Sequence, residues 1–118
     1  MKLTGEAKEN FWKWYLSEKV LKENKLLPML NLSNENVIRI NFLAMPEVCQ
    51  HSLIIDFFDE QWIVTTITNT YYDGFHFQWK ITDNRLKTHK SKHGFESRKE
   101  ATEKAIEKSN EIYNDKNK

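Results

Sequence analysis

Four side chains in this sequence carry metal-ligand chemistry: Cys49, His51, His89 and His93. The His89-x-x-x-His93 spacing would bring two imidazoles to one face of a helix, an arrangement that suits zinc. The stretch Thr88-His89-Lys90-Ser91-Lys92-His93-Gly94 reads instead as a loop, and its lysines repel a cation. Cys49 reads as a small buried hydrophobe near the start of a strand. The expectation is therefore no metal and no cofactor. Asp56, Asp59 and Glu60 could suggest magnesium-dependent hydrolysis. In a strand, however, Asp56 points to one face while Asp59 and Glu60 fall in the following turn, and no nearby lysine completes such a site. With three glycines in the chain there is neither a glycine-flanked serine elbow nor a phosphate loop. No catalytic residues are assigned, and the chain is expected not to be an enzyme.

The unusual features are charges and surfaces. From Ile40 to Trp79 there is no Lys or Arg, against five acids: Glu47, Asp56, Asp59, Glu60 and Asp73. The rest of the chain carries 18 basic and 12 acidic residues. Such a division speaks about partners and not about fold. Asp56, Asp59, Glu60 and Asp73 are the expected acidic contact face, lying on a sheet. Arg85, Lys87, Lys90 and Lys92 fall in a basic loop, and Arg98 and Lys99 open a helix, where free backbone N–H groups favour phosphate. This loop is either a solvated segment that keeps the protein soluble or a contact for RNA or an acidic partner.

These surfaces need elements to position them. At 118 residues the chain suits one domain with one core. Thr4 caps a helix running from about Gly5 to Asn24. Phe11, Trp14, Tyr15 and Leu21 line one side of it. Trp12, Leu16 and Val20 line roughly the other, either wedged in the core or exposed as an apolar contact. Leu26 to Asn36 reads as a loop. Ile38, Ile40 and Phe42 alternate with Arg39 and Asn41, which predicts a strand. Ser52–Phe58 reads as a second strand, Trp62–Thr68 as a third, and Phe75–Thr82 as a fourth after an Asp73-Gly74 turn. Ser97 and Glu100 make a capping box for a last helix, whose apolar stripe is Ala101, Ala105, Ile106, Ile112 and Tyr113. The expected fold is α+β: a helix, a four-stranded antiparallel meander and a helix, forming a two-layer sandwich over residues 1–113, with 114–118 a frayed tail.

The N-terminus is polar, no run approaches the roughly 18 apolar residues of a membrane span, and there is one cysteine. The expected location is the cytoplasm, with no membrane partner.

Leu3-Thr4-Gly5-Glu6-Ala7-Lys8 leading to Phe11 and Trp14, Asp56-Phe57-Phe58-Asp59 at the centre, and Ser97-Arg98-Lys99-Glu100-Ala101 through Tyr113-Asn114 at the end form a combination. It resembles small phage- and prophage-encoded proteins of Bacteroidota-type bacteria. The resemblance implies no site residue. It implies a setting, a bacterial host cytoplasm, and a mode of action, binding to host machinery, as anti-CRISPR inhibitors of RNA-guided nucleases do. The partner expected on that basis is a host protein or ribonucleoprotein. Separately, Gly94 to Ala101 resembles the last-helix start of double-stranded RNA-binding domains, which implies direct RNA binding through Lys92, Arg98 and Lys99. A third reading is a self-associating phage protein, dimerising through Trp12, Leu16 and Val20.

Overall fold

The computed structural model describes residues 3–17, 35–70, 76–92 and 94–116. The chain is α+β, with helices α1 (Gly5–Trp14), α2 (Glu35–Leu43), α3 (Glu47–Glu60) and α4 (Arg98–Lys116). Strands β1 (Val64–Thr70), β2 (His76–Thr82) and β3 (Thr88–Lys90) form one antiparallel sheet in that order. The expected four-stranded meander is thus corrected among the described residues to three strands, preceded by two additional helices.

The segment around Ile38 is a helix and not the expected strand, a distinction its pattern leaves open because the two periods agree over so short a run. Positions i and i+4 share a face both in a strand and in a helix; only i+2 distinguishes them. Ile38 and Phe42 are buried, whereas Ile40 between them is 64% exposed. Residues 52–58 are also helical. Their apolar run fits either a buried strand or a buried helix, and burial of Ile54, Phe57 and Phe58 at i, i+3 and i+4 is helical. Cys49 is exposed on α3 and is not a buried core residue.

Helix α3 ends in a Schellman arrangement. The Ile63 N–H donates to the Phe58 carbonyl at 2.9 Å, and the Trp62 N–H to the Asp59 carbonyl at 3.0 Å. The residue between, Trp62, has φ 59°, a left-handed conformation for which glycine is usual. The apolar contact expected of this motif is present as the buried pair Phe58 and Ile63.

Strands β1 and β2 pair from Val64↔Thr82 to Thr70↔His76. The register puts Thr65 and Ile67 opposite Ile81 and Trp79, so these four share one face. That face receives α4, where Ala101 and Ala105 are fully buried and allow close approach. Thr66, Thr68 and Lys80 on the other face are exposed. Within the expected basic loop Thr88–Lys90 forms an edge strand. β3 pairs with β2 at Lys80↔Lys90, and Phe95 then bridges to Phe77 with N···O distances of 2.7 and 2.8 Å. Lys90 on β3 is the kind of residue an edge strand carries to discourage further pairing.

Helix α4 starts where the capping residues place it: the Glu100 N–H donates to Ser97 Oγ at 3.1 Å. It continues to Lys116, so Asn114–Lys116 are helix and not tail. α1 and α3 pack against α4. Between them lies an aromatic core in which the Phe11 ring centroid is 5.3 Å from that of Phe42 and 5.7 Å from that of Phe57, with Phe57 5.8 Å from Tyr113. Trp12 belongs to this core at 5% exposure, with Leu16 partly buried against it. The reading of Trp12 and Leu16 as an exposed contact is therefore corrected: small cores bury large rings first. Val20 lies outside the described residues.

Candidate functional site: a basic and aromatic cleft

Antiparallel pairing in β2 and β3 and the helical repeat of α4 converge on one cleft of about 460 Å³. β2 supplies Trp79, the segment after β3 supplies Lys92 and Phe95, and α4 supplies Lys104 and Lys108; Lys90 borders the cleft from the β3 edge, its register with Lys80 placing its side chain on the other sheet face. Lys104 and Lys108 are four residues apart, hence on one helical face. Each also pairs along the helix, Lys104 with Glu107 at 3.3 Å and Lys108 with Glu111 at 3.1 Å. Such exposed pairs are weak, worth about 0.3–0.5 kcal/mol, and leave both ammonium groups available to a stronger anion. The backbone N–H of Trp79 donates to Ser91 Oγ at 3.3 Å. Its indole Nε1–H is buried and has no acceptor among the described residues. A buried donor without a partner costs about 1–3 kcal/mol. Cations beside aromatic rings form the pattern by which proteins hold phosphate chains with stacked bases.

Of the six basic residues singled out from the sequence, Lys92 lines this cleft and Lys90 borders it. Arg85 and Lys87 sit on the β2–β3 turn beside a smaller depression of about 280 Å³. The Asp83 carboxylate organises that turn, accepting from the N–H groups of Arg85 and Lys87 at 2.9 and 3.0 Å and from His89 Nε2 at 3.1 Å. Burial pushes the Asp83 carboxyl up, and these hydrogen bonds outweigh that, holding it below the ordinary carboxylate value. Arg98 stacks over the Phe77 ring, 5.2 Å from its centroid. Lys99 is held by Glu47 at 2.8 Å, a hydrogen bond that raises its affinity for its proton. The structure therefore divides the expected basic patch into three, and recruits Lys104 and Lys108 from a helix whose glutamates disguised them.

The expected acidic face is not on the sheet. Asp56, Asp59 and Glu60 lie exposed on the last turns of α3, and Asp73 lies outside the described residues. Burial, and then the neighbouring charge of Asp56, raises the Asp59 carboxyl. Glu60 accepts the indole N–H of Trp14. Acids at a helix C-terminus oppose its dipole, an unfavourable contribution of roughly 0.3–1 kcal/mol each, and α3 has no basic residue in its last turn. Beyond them stands Trp62, 72% exposed in its strained conformation. Sequence reasoning assigned Trp62 to a strand and missed it. The polar turn before it was the available signal.

Glu47, His51 and Glu103 are the described residues whose donor atoms could share a metal ion. His89 is engaged with Asp83, and His93 lies outside the described residues. No helix among the described residues is long and apolar enough to cross a membrane. No protein family, curated protein or solved structure matches the chain.

Proposed function

We propose that this chain is a non-enzymatic binding protein, a phage-encoded inhibitor of a host RNA-guided nuclease that acts on the assembled ribonucleoprotein. The observation that carries the reading is the convergence of Lys92, Lys104 and Lys108 on a cleft with Trp79 and Phe95. The cleft suits the exposed RNA of such a particle. The acidic end of α3, with Trp62 beside it, suits the basic protein surface that surrounds the RNA. Complementary contacts of both signs favour a composite partner over either component alone, and an exposed tryptophan is a common interface anchor.

The test measures binding of the full chain to a guide-loaded nuclease, to the apo-nuclease and to the guide RNA, together with target cleavage. The expected result is tightest binding to the loaded particle, reduced cleavage, and loss of both on Lys→Glu substitution at Lys92, Lys104 and Lys108. Equal affinity for the loaded particle and the free RNA would favour the second reading, a direct RNA-binding domain. Trp79 and Phe95 beside the lysines are the specific observation behind that alternative. Absence of binding to all three overturns both.

A further inference from the structure

We propose that Glu47, His51 and Glu103 form a binding site for a divalent transition-metal ion, with zinc the best fit, at the contact between α3 and α4. Helix α3 carries Glu47 and His51 four residues apart, so the two side chains stand one turn apart on the same face. α4 packs against α3 and brings Glu103 to them. One donor atom from each residue lies within 4.8 Å of the other two. Bonds of ~2.0–2.2 Å in a tetrahedral site bring ligand atoms to roughly 3.4 Å from one another. The difference is on the order of 1.4 Å, within reach of side-chain rotation in Glu47, which is exposed, and in Glu103, which is half-buried.

The donor set selects the ion. Imidazole favours zinc and its first-row neighbours, whereas magnesium and calcium call for about six or more oxygens that this site does not offer. Two carboxylates balance the charge of a divalent cation. Three protein ligands leave a fourth position for water or for a donor on a bound molecule. Beside it, His51 lines a cleft of about 410 Å³ with Val48, Ile55, Arg98 and Thr102.

Lys99 is the internal competitor. Its Nζ lies 2.8 Å from Glu47 Oε2, and both partners are more than half exposed. A pair so exposed is weak, and an arriving ion displaces it. Removing Lys99 should therefore tighten metal binding, a direction opposite to that expected if the lysine merely held the two helices together.

The experiment is calorimetric titration of the full chain with zinc chloride, with cobalt(II) absorption reporting tetrahedral coordination. One ion per chain is expected. His51→Ala and Glu103→Gln should each weaken binding roughly tenfold or more, and Lys99→Met should tighten it severalfold. His89→Ala and Arg85→Met, on β3 and the β2–β3 turn away from the site, should leave it unchanged. Circular dichroism establishes that each variant is folded; Glu103→Gln preserves size and hydrogen-bonding capacity should His51→Ala fail to fold. No zinc uptake at micromolar concentration overturns the proposal. So does uptake that survives both ligand substitutions or is lost in His89→Ala.

Discussion

Asn114 caps Ala7: its Oδ1 accepts the Ala7 backbone N–H at 2.9 Å, joining the last turns of α4 to the first turn of α1. Asn114 Nδ2 donates to the Thr4 carbonyl at 3.0 Å, while Asn110 one turn earlier accepts from the Thr4 N–H at 2.8 Å. Thr4 occupies the N-cap position without a side-chain cap of its own, so α1 takes its cap from another helix. Removing a cap costs about 0.5–2 kcal/mol. Asn114→Ala should lower the thermal midpoint by several degrees, read by circular dichroism. Gly5 has φ +60°, and a Cβ there would meet Asn114 at 3.2 Å. Gly5→Ala should therefore destabilise by about 1–2 kcal/mol. Full stability in both variants would dissolve the clamp.

The helical assignment of residues 35–43 separates two neighbours that a strand would treat alike. Ile40→Asp should change stability by no more than about 0.5 kcal/mol, as exposed substitutions do. Phe42→Ala should cost about 3–5 kcal/mol through the cavity left against Phe11 and Trp12. Chemical denaturation distinguishes the outcomes, and a large loss in Ile40→Asp would restore the strand.

Trp62 stands in a left-handed conformation suited to glycine while exposing its ring to solvent. Relief of that strain should make Trp62→Gly more stable by about 0.5–1 kcal/mol, net of the added freedom of the unfolded chain. If the proposed ribonucleoprotein is the partner, the same substitution should also weaken binding to it. A variant both less stable and fully active would contradict each part.

The Asp83 turn sets an acid limit. Because the folded carboxyl titrates below its unfolded value, its contribution is complete above about pH 4 and fades as pH falls through the folded value. Asp83→Asn should flatten the decline of stability in that acid window, measured by urea unfolding at successive pH values. An unaltered slope would show that other carboxylates govern it.

Charge in the cleft should be readable from salt. If RNA is contacted through Lys92, Lys104 and Lys108, the logarithm of affinity should fall with the logarithm of salt at a slope near −2, from about 0.7 per single-strand phosphate contact. Each Lys→Gln substitution should reduce that slope by about 0.7 and leave the melting temperature unchanged. A slope indifferent to these lysines would remove the cleft from the interface.

Parts of this architecture were legible because they rest on local signals. The alternation of Phe77, Trp79 and Ile81 against Gln78 and Lys80 marked β2. Ser97 and Glu100 located the start of α4, and Ala101, Ala105, Ile106 and Tyr113 its buried stripe. Ile38–Phe42 and Ser52–Phe58 were misread because their β-favouring side chains and short apolar runs fit both periods, so packing against Phe11 and Tyr113 chose between them. That misreading also hid the spacing of Glu47 and His51, which has metal-binding meaning only on a helix.

The amino-acid sequence by itself determined the α+β class, the pairing of β1 with β2, the cap of α4 and the separation of acidic from basic stretches, since each depends on neighbours a few residues apart. Tertiary structure alone decided which charges meet. Lys92 joins Lys104 at one cleft, Lys99 finds Glu47, and Asn114 caps the helix that starts at Gly5, through contacts between elements distant in sequence. A linear pattern carries the period of each element, but the distances between their side chains exist only once α4 is seated on the sheet and against α1 and α3.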